Sequence, residues 1–345
     1  MAVDTNFYSS KELAVGVGLD ASNIGTAFAG TFTSIEVDSV SFPSFNDLRI
    51  ERRSGAASGI MTASSDLFYY DKGSVIELSI SGYLTDDLFQ VLTANAIGTA
   101  YSSNVISIAN AVTTNASFQH GATSATDKTL TFAFNGVGGS GFDDCVAIPG
   151  CVITSLNING DPNEDGGRMK FDLTAQSRTP IAKGSTFTAT AYTMSAFDTD
   201  YTFLGDFKNH CKIHNVDALL KSFSMSIENP VQFGGFGGSG SSADGAPQTY
   251  IRCIPELSVM INPVVKYDTN FDTLWELSRE STSLTSPAFS MSDHATYNDA
   301  SATRTIYAAD ATVEELSWDE GDYLGLNINM KVRGDADPSL YVKYV

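Results

Sequence analysis

Residues 169–175, MKFDLTA, give the clearest indication of the fold of this chain. Apolar and polar side chains alternate strictly along it, which predicts a β-strand with one buried face. The segment 152–158, VITSLNI, lies before it across a turn-rich segment, so the two predict an antiparallel hairpin. The same plan returns near the end of the chain, where residues 313–318, a turn at 319–322 and the alternating segment 324–332 predict a second hairpin.

Two short matches suggest that the hairpins belong to two copies of one unit. LRIE at 48–51 is similar to MSIE at 225–228, and ELSI at 77–80 is similar to ELSV at 256–259. The two pairs have nearly equal spacing, so we predict an internal repeat in which LRIE corresponds to MSIE.

A short helix is predicted after the second strand of each copy. Residues 85–92 and 271–277 each follow a polar residue with apolar residues at helical intervals. Thr85 or Asp86 is the predicted cap of the first helix, and Asn270 or Asp272 that of the second.

These elements predict a mostly β chain of two tandem antiparallel β-sandwich or barrel domains, each flanked by one short α-helix. The first domain spans residues 1–180 and carries an insertion at about 99–150, and the second spans 181–345. The stretch near residues 178–215 reads as extended but has no counterpart elsewhere in the chain.

The composition argues against a protein that binds nucleic acid. The chain has 345 residues and a net charge of −20, from 40 acidic and 20 basic residues. Such a charge repels nucleic acid. It also keeps a concentrated protein soluble, and both explanations stay open.

The sequence predicts a cytoplasmic setting without a membrane. The N-terminal residues lack the pattern of a signal peptide, and no apolar run is long enough to cross a bilayer. The four cysteines are too sparse for a disulfide scaffold, so we expect reduced thiols. Pairing of Cys145 with Cys151 in an oxidising medium is the alternative.

Three motifs invite a ligand site and have simpler explanations. GFGGSG at 235–240 matches a nucleotide-binding fingerprint, but no helix start follows it, so we read it as a hairpin loop. The turn 161–166 begins like a calcium loop with Asp172 at the twelfth position, and either a plain turn or weak cation binding explains it. His210, Cys211 and His214 fall short of the four ligands that structural zinc requires.

No catalytic constellation stands out, so the sequence predicts no enzyme, no cofactor, and no catalytic, cofactor-binding or metal-binding residue. GxSxG and HExxH are absent, and adjacent acids such as 143–144 and 314–315 are expected by chance in so acidic a chain. The densest basic patch, Arg49, Arg52 and Arg53, is interpreted as forming salt bridges between subunits.

The overall plan, KELAVG at residues 11–16 and the hairpin over 152–175 resemble the tail tube proteins of long-tailed bacteriophages. The resemblance covers most of the chain as architecture and scattered short motifs. It implies tube-type domains that form stacked rings around a DNA channel. A chain with two copies then closes a pseudo-hexameric ring as a homotrimer.

The resemblance also implies partners and a location. The expected partners are further copies of the chain, other tail proteins and double-stranded DNA that passes without specific binding. The expected location is the virion tail, after assembly in the host cytoplasm. An acidic lumen keeps DNA from adhering, although the sequence does not assign Asp47, Glu51 or Glu77 to it. The loops 52–74 and 229–250 are the candidates for contacts with the next subunit or ring.

Two other functions compete with this one. The first is another virion structural protein, such as a capsid component or an adhesion module. The second, more remote, is a carbohydrate-active β-sandwich enzyme, which requires a carboxylate pair in an aromatic-lined cleft.

Overall fold

In the computed structural model the described residues are 13–20, 27–41, 48–52, 67–71, 75–97, 105–108, 129–136, 145–177, 186–188, 190–207, 210–234, 249–252, 256–264, 283–297, 301–320, 324–333 and 340–344. The chain is mostly β, its strands pair antiparallel, and one sheet curves as half a barrel. The predicted β class is therefore confirmed.

The first half of the chain forms β1 (Ala14–Leu19), β2 (Thr33–Ile35), β3 (Val37–Ser41), β4 (Leu48–Arg52), β5 (Leu67–Asp71), β6 (Ile76–Tyr83), α1 (Asp86–Ile97), β7 (Val105–Ile108), β8 (Leu130–Asn135), β9 (Cys145–Gly160), β10 (Lys170–Ser177) and β11 (Thr186–Thr188). The second half forms β12 (His210–Ile213), β13 (Val216–Asp217), β14 (Leu220–Glu228), β15 (Val231–Gly234), β16 (Thr249–Arg252), β17 (Glu256–Pro263), β18 (Ser283–Ser292), β19 (Arg304–Glu320), β20 (Leu324–Arg333) and β21 (Leu340–Tyr344). Two single 3-10 turns lie at Asp165–Gly167 and Leu204–Phe207.

Both predicted hairpins are present. In the first, β9 pairs with β10, and Leu173 lies opposite Leu156. In the second, β19 pairs with β20, and Ile328 lies opposite Leu316. Each long strand also has a β-bulge, where the register shifts between the hairpin strands. A bulge bends a strand and increases its twist, which allows β9 and β19 to change partners along their length.

The two halves repeat one order of strand pairing. In the first half the neighbours run β3–β6–β10–β9–β8–β1–β2. In the second half they run β14–β17–β20–β19–β18–β12–β13. In each half a separate two-stranded ribbon, β4–β5 or β15–β16, is inserted between the first two strands of this order.

This topology corrects the predicted equivalence of LRIE and MSIE. LRIE forms β4 in the inserted ribbon, whereas MSIE ends β14 in the main sheet. ELSI and ELSV do occupy equivalent places, since Ser79 pairs with Ser41 and Ser258 pairs with Ser226. The partner of a strand depends on long-range packing, and a similarity over four residues does not determine it.

The halves are joined edge to edge. Strand β14 of the second half pairs with the C-terminal part of β9, on the edge that β10 leaves free. Eight strands thus follow one another in a continuous sheet, in the order β3, β6, β10, β9, β14, β17, β20, β19. We call this the main sheet, and the contact between β9 and β14 the seam.

The first predicted helix is confirmed as α1, which packs against β9. Its Leu88, Phe89 and Leu92 are fully buried. The Thr85 carbonyl accepts a hydrogen bond from the Phe89 N–H at 2.9 Å. The Thr85 hydroxyl has no hydrogen-bond partner in the described part of the chain, so the predicted side-chain cap by Thr85 is not formed. The second predicted helix, with Asn270 and Asp272, lies outside the described residues.

Much of the predicted insertion at 99–150 belongs to the sheets themselves. Strand β8 pairs with β1 and β9, and residues 145–150 begin β9. The extended stretch that follows β11 crosses the first half, because Phe32 bridges Met194 and Arg168 bridges Phe203. The core lies on the apolar face of the main sheet, where Phe171, Ile158 and Met225 are fully buried.

Candidate functional site

The main sheet has a second face that is almost entirely polar. On β6, β9, β10 and β14 every second side chain turns away from the core, as the alternation of buried and more exposed residues shows. We call this the polar face. On these four strands its hydroxyl, amide and carboxylate groups include those of Glu77, Ser79, Ser81, Ser155, Asn157, Asn159, Asp172, Thr174, Gln176, Ser222, Ser224, Ser226 and Glu228.

Strand register arranges these groups in rows across the sheet. Asp172 lies opposite Ser81 on one side and Asn157 on the other, and Asn157 lies opposite Ser226. The Ser224 hydroxyl donates to Asn157 Oδ1 at 3.0 Å across the seam. A depression of about 210 Å³ opens on the polar face around Asp172, Ser81 and Asn157.

The polar face carries uncompensated negative charge. Its three lysines bind carboxylates: Lys170 pairs with Asp165, Lys221 with Asp319 and Lys331 with Glu256. The hydrogen bonds in these pairs raise the pKa of Lys170 and Lys331 and lower the pKa of Asp165 and Asp319. Four exposed acids of the face form no ion pair within the described ranges: Glu77, Asp172, Glu228 and Glu315.

The seam shows how one unit joins the next. Met225 lies opposite Ile158 and Ile227 opposite Leu156, and all four side chains are at most 1% exposed. On the polar face, the Ser155 hydroxyl donates to Glu228 Oε1 at 2.6 Å. The seam therefore combines a backbone ladder, an apolar contact on the core side and hydroxyl bonds on the polar side.

Each end of the main sheet has an edge without a strand partner among the residues described. Of the described strands, β3 pairs only with β6. Within the same ranges the C-terminal part of β19, residues 313–320, pairs only with β20, because the pairing of β18 ends at Thr312. Next to this second edge Trp318 and Leu324 are 41% and 48% exposed, respectively.

The candidate calcium loop is an ordinary turn in this structure. Asp161 Oδ1 accepts hydrogen bonds from the Asn163 N–H at 2.7 Å and from its side-chain amide at 3.1 Å. Asp165 is paired with Lys170, and Asp172 lies on a strand of the polar face. Asp165 has φ 47° and Gly166 φ 70°, the left-handed backbone that Asp and Gly tolerate in turns. Two of the carboxylates thus have other partners.

The histidine cluster is part of a strand and a turn. His210 is buried on β12, with Nε2 2.7 Å from Ser290 Oγ and Nδ1 3.0 Å from the Ala295 carbonyl oxygen. Burial lowers the pKa of both His210 and His214. Within the described ranges no group of three or more His, Cys, Asp or Glu side chains is placed to hold a metal ion.

Cys145, Cys151 and Cys211 form no disulfide bond in this structure. Cys145 and Cys151 are buried on β9, so the alternative disulfide between them is not formed in this structure. Burial raises the pKa of Cys151, and it raises the pKa of Cys211 to about 12. Raised pKa values keep thiols protonated and unreactive.

Several sequence-derived candidates lie outside the description. The glycine-rich loop at 235–240, Asp47 and Cys253 fall outside the described residues, and so do the side chains of the basic patch Arg49, Arg52 and Arg53. The loops 52–74 and 229–250 are described only in part, as the ribbons β4–β5 and β15–β16.

Sequence reasoning missed an ion cluster that links the two halves. Arg304, at the start of β19, donates to both carboxylate oxygens of Asp86, at 3.2 and 2.9 Å, and its Nη1 lies 3.2 Å from Asp206 Oδ2. Burial raises the pKa of Asp86, and the bonds from Arg304 oppose that rise. No local motif marks Arg304, because its partners lie far away in sequence.

A buried carboxylate was also missed. Asp20 is fully buried and accepts hydrogen bonds from the Thr129 hydroxyl at 2.5 Å, the Gly150 N–H at 3.1 Å and the Thr131 hydroxyl. Burial raises the pKa of Asp20, while these hydrogen bonds lower it. Its contacts fasten the end of β1 to β8 and β9, so its role is structural.

No helix in the described part of the chain has the length and apolar character needed to span a membrane. Neither a scan of protein-family models nor a search of curated proteins finds a match to this chain.

Proposed function

We propose that this chain is a structural subunit of a tail tube of a long-tailed bacteriophage, built from two tandem tube-type domains and without catalytic activity. The observation that carries the proposal is the polar face: a hydroxyl-rich and acidic surface, with a depression around Asp172, on a sheet that curves as half a barrel. The other face of the sheet forms the core. The polar face is therefore free to line a water-filled channel, and its negative charge keeps a polyanion such as DNA from binding to it.

The charge of the polar face fits the passage of DNA. A cationic side chain that contacts a DNA phosphate displaces counterions, and the contact has to be broken again before the DNA can move on. Such contacts therefore slow the DNA in a channel. On this face the three lysines are already paired with acids. Glu77, Asp172 and Glu228 repel phosphate, and the short hydroxyl and amide side chains bind the DNA backbone only weakly. The duplex passes without specific binding.

The repeated strand order supports a ring of three chains. Each chain contributes eight strands to the wall, so three chains contribute about twenty-four. At a spacing of about 4.8 Å and a tilt of about 40°, that number closes a barrel roughly 48 Å across between backbones. Closure also removes the two free edges, which otherwise promote aggregation.

The remaining partners follow from this assembly. Rings stack into a tube, and the ribbons β4–β5 and β15–β16, with the loops at their tips, contact the next subunit or ring. Other tail proteins cap the tube. The protein is assembled in the host cytoplasm and then resides in the virion tail.

Electron microscopy of the purified chain at high concentration, with mass measurement of single rings, tests the proposal. We expect hollow tubes of constant bore, and rings of three 36.8 kDa chains, about 110 kDa. Monodisperse monomers that bind a glycan, or solid fibres without a channel, would contradict it and favour an adhesion module.

A further inference from the structure

The seam inside the chain is a template for a contact between chains. In the repeated strand order, β3 corresponds to β14 and β19 corresponds to β9. Strands β14 and β9 form the seam, whereas the corresponding edges of β3 and β19 have no strand partner in the described part of the chain. The chain thus presents at its two ends the two halves of a joint that it already forms in its middle.

We infer that the edge of β19 at residues 313–320 pairs antiparallel with the β3 edge of a second copy, in the register of the seam. This inference rests on the proposed self-assembly and specifies which surfaces carry it. The contact is heterologous, since it uses two different surfaces, and it therefore repeats from copy to copy until a ring closes.

Pairing within each half fixes the equivalent residues on the β3 side. Val40 lies opposite Ile80, as Met225 lies opposite Val259 in the second half. Because ELSI and ELSV occupy equivalent places, Val40 corresponds to Met225 and Ser41 to Ser226.

The β19 side follows from its hairpin partners. Ile158 lies opposite Phe171, and Leu316 lies opposite Ile328. Phe171 and Ile328 are equivalent, because they pair with Gly82 and Ile261, each two residues after the end of ELSI or ELSV. Leu316 therefore corresponds to Ile158, and Glu315 to Asn157. In the seam Met225 faces Ile158 and Ser226 faces Asn157. The inferred joint places Val40 opposite Leu316 and Ser41 opposite Glu315.

The chemistry of the two edges is complementary in this register. Val40 and Leu316 are partly buried and pack against the core of their own half, so the joint extends an apolar layer. On the polar face the Ser41 hydroxyl can donate to Glu315, as Ser155 donates to Glu228 in the seam. Trp318, which is 41% exposed, corresponds to Gly160 of the seam and becomes covered next to Val37.

A one-residue slip is disfavoured because it would place the apolar side chains of β3 next to polar side chains of β19. A two-residue slip preserves the faces, so an experiment has to discriminate that register. Directly opposed cysteines on antiparallel strands can form a disulfide, whereas Cα atoms more than about 7 Å apart cannot.

The test uses pairs of cysteines on the polar face of the full chain, oxidised at high concentration and analysed by non-reducing electrophoresis. Ser41→Cys with Glu315→Cys is the registered pair. Ser41→Cys with Ser317→Cys reports a two-residue slip. Asn157→Cys with Ser226→Cys, directly opposed across the seam, is the positive control for geometry within one chain. The parent chain and each single variant report disulfides formed by the native thiols.

We expect intermolecular dimers and trimers from the registered pair, at least tenfold more than from the slipped pair, and an intramolecular link in the seam control. Linked products from the slipped pair alone, or none from either pair while the seam control links, overturn the inference. Hollow tubes without links from the registered pair overturn the joint but leave the tube function standing. Links from the registered pair in particles without a channel support the joint and overturn the tube.

Discussion

Replacement of Met225 by alanine should destabilise the whole chain, because this side chain lies at the seam. Met225 is fully buried, and it faces the fully buried Ile158 of the other half. The substitution removes three heavy atoms from the core, a transfer loss of about 2.4 kcal/mol at 0.8 kcal/mol per group. An incompletely filled cavity raises the expected loss of unfolding free energy to about 3–4 kcal/mol.

The chain offers a matched control one strand away. Met260 lies on β17, which pairs with β14, but its side chain is 51% exposed on the polar face. Met260→Ala should change the unfolding free energy by less than about 0.5 kcal/mol. The same chemical change thus separates burial at the seam from any general effect of losing a methionine.

Urea unfolding followed by circular dichroism measures both variants. The midpoint shift, multiplied by a shared slope, gives the change in unfolding free energy. Because the seam continues one sheet through both halves, we expect a single transition. Equal losses in the two variants would refute the assignment of Met225 to the core. Separate transitions of the two halves in the parent chain would refute the continuous sheet.

Three further predictions concern charge. Arg304→Met should cost about 2–3 kcal/mol of unfolding free energy, because it leaves the partly buried Asp86 without its cation, and a second change, Asp86→Asn, should recover part of the loss. Burial lowers the pKa of His210 below its value in the unfolded chain, so the folded state binds fewer protons than the unfolded state. The unfolding free energy should therefore fall as the pH drops below about 6.5. His210→Gln should weaken this pH dependence between about pH 7 and 5. Asp172→Asn with Glu228→Gln should strengthen binding of duplex DNA to assembled tubes several-fold at low salt, measured by co-sedimentation.

Each of these has an outcome that contradicts it. An additive loss in the Arg304 and Asp86 double variant would mean that the two side chains do not interact. An unchanged pH profile in His210→Gln would remove that histidine as the source of the acid sensitivity. Glu164→Gln, an exposed acid in the turn outside the polar face, is the control for DNA binding. Because that variant removes one charge and the double variant two, a gain about half as large from Glu164→Gln would show a general charge effect.

The elements whose signal is local were predictable from sequence. Residues 169–175 and 324–332 alternate strictly, and both form hairpin strands. Phe171, Leu173, Leu326 and Ile328 are buried as expected, whereas Leu324 at the start of its strand is 48% exposed. The helix at Asp86–Ile97 begins where acidic residues precede an apolar spacing. The spacing of apolar residues and the residue types of turns act over a few residues, so they can be recognised without the rest of the chain.

The pairing partners were not predictable in the same way. LRIE and MSIE share two letters of four, yet one lies in a ribbon and the other at the seam. Strand β8 is buried almost throughout and shows no alternation, so its place beside β1 depends on contacts more than 100 residues apart. The seam joins β9 to β14. This pairing depends on complementary shape and on strand edges that have no other partner, and no sequence motif marks it.

A cryo-electron microscopy reconstruction of the assembled protein would show which surface of the main sheet lines the bore. We predict three chains per ring, a wall of about twenty-four strands, and Glu77, Asp172 and Glu228 facing the lumen. A reconstruction in which these residues face outward, or in which the polar face is buried between chains, would contradict the account.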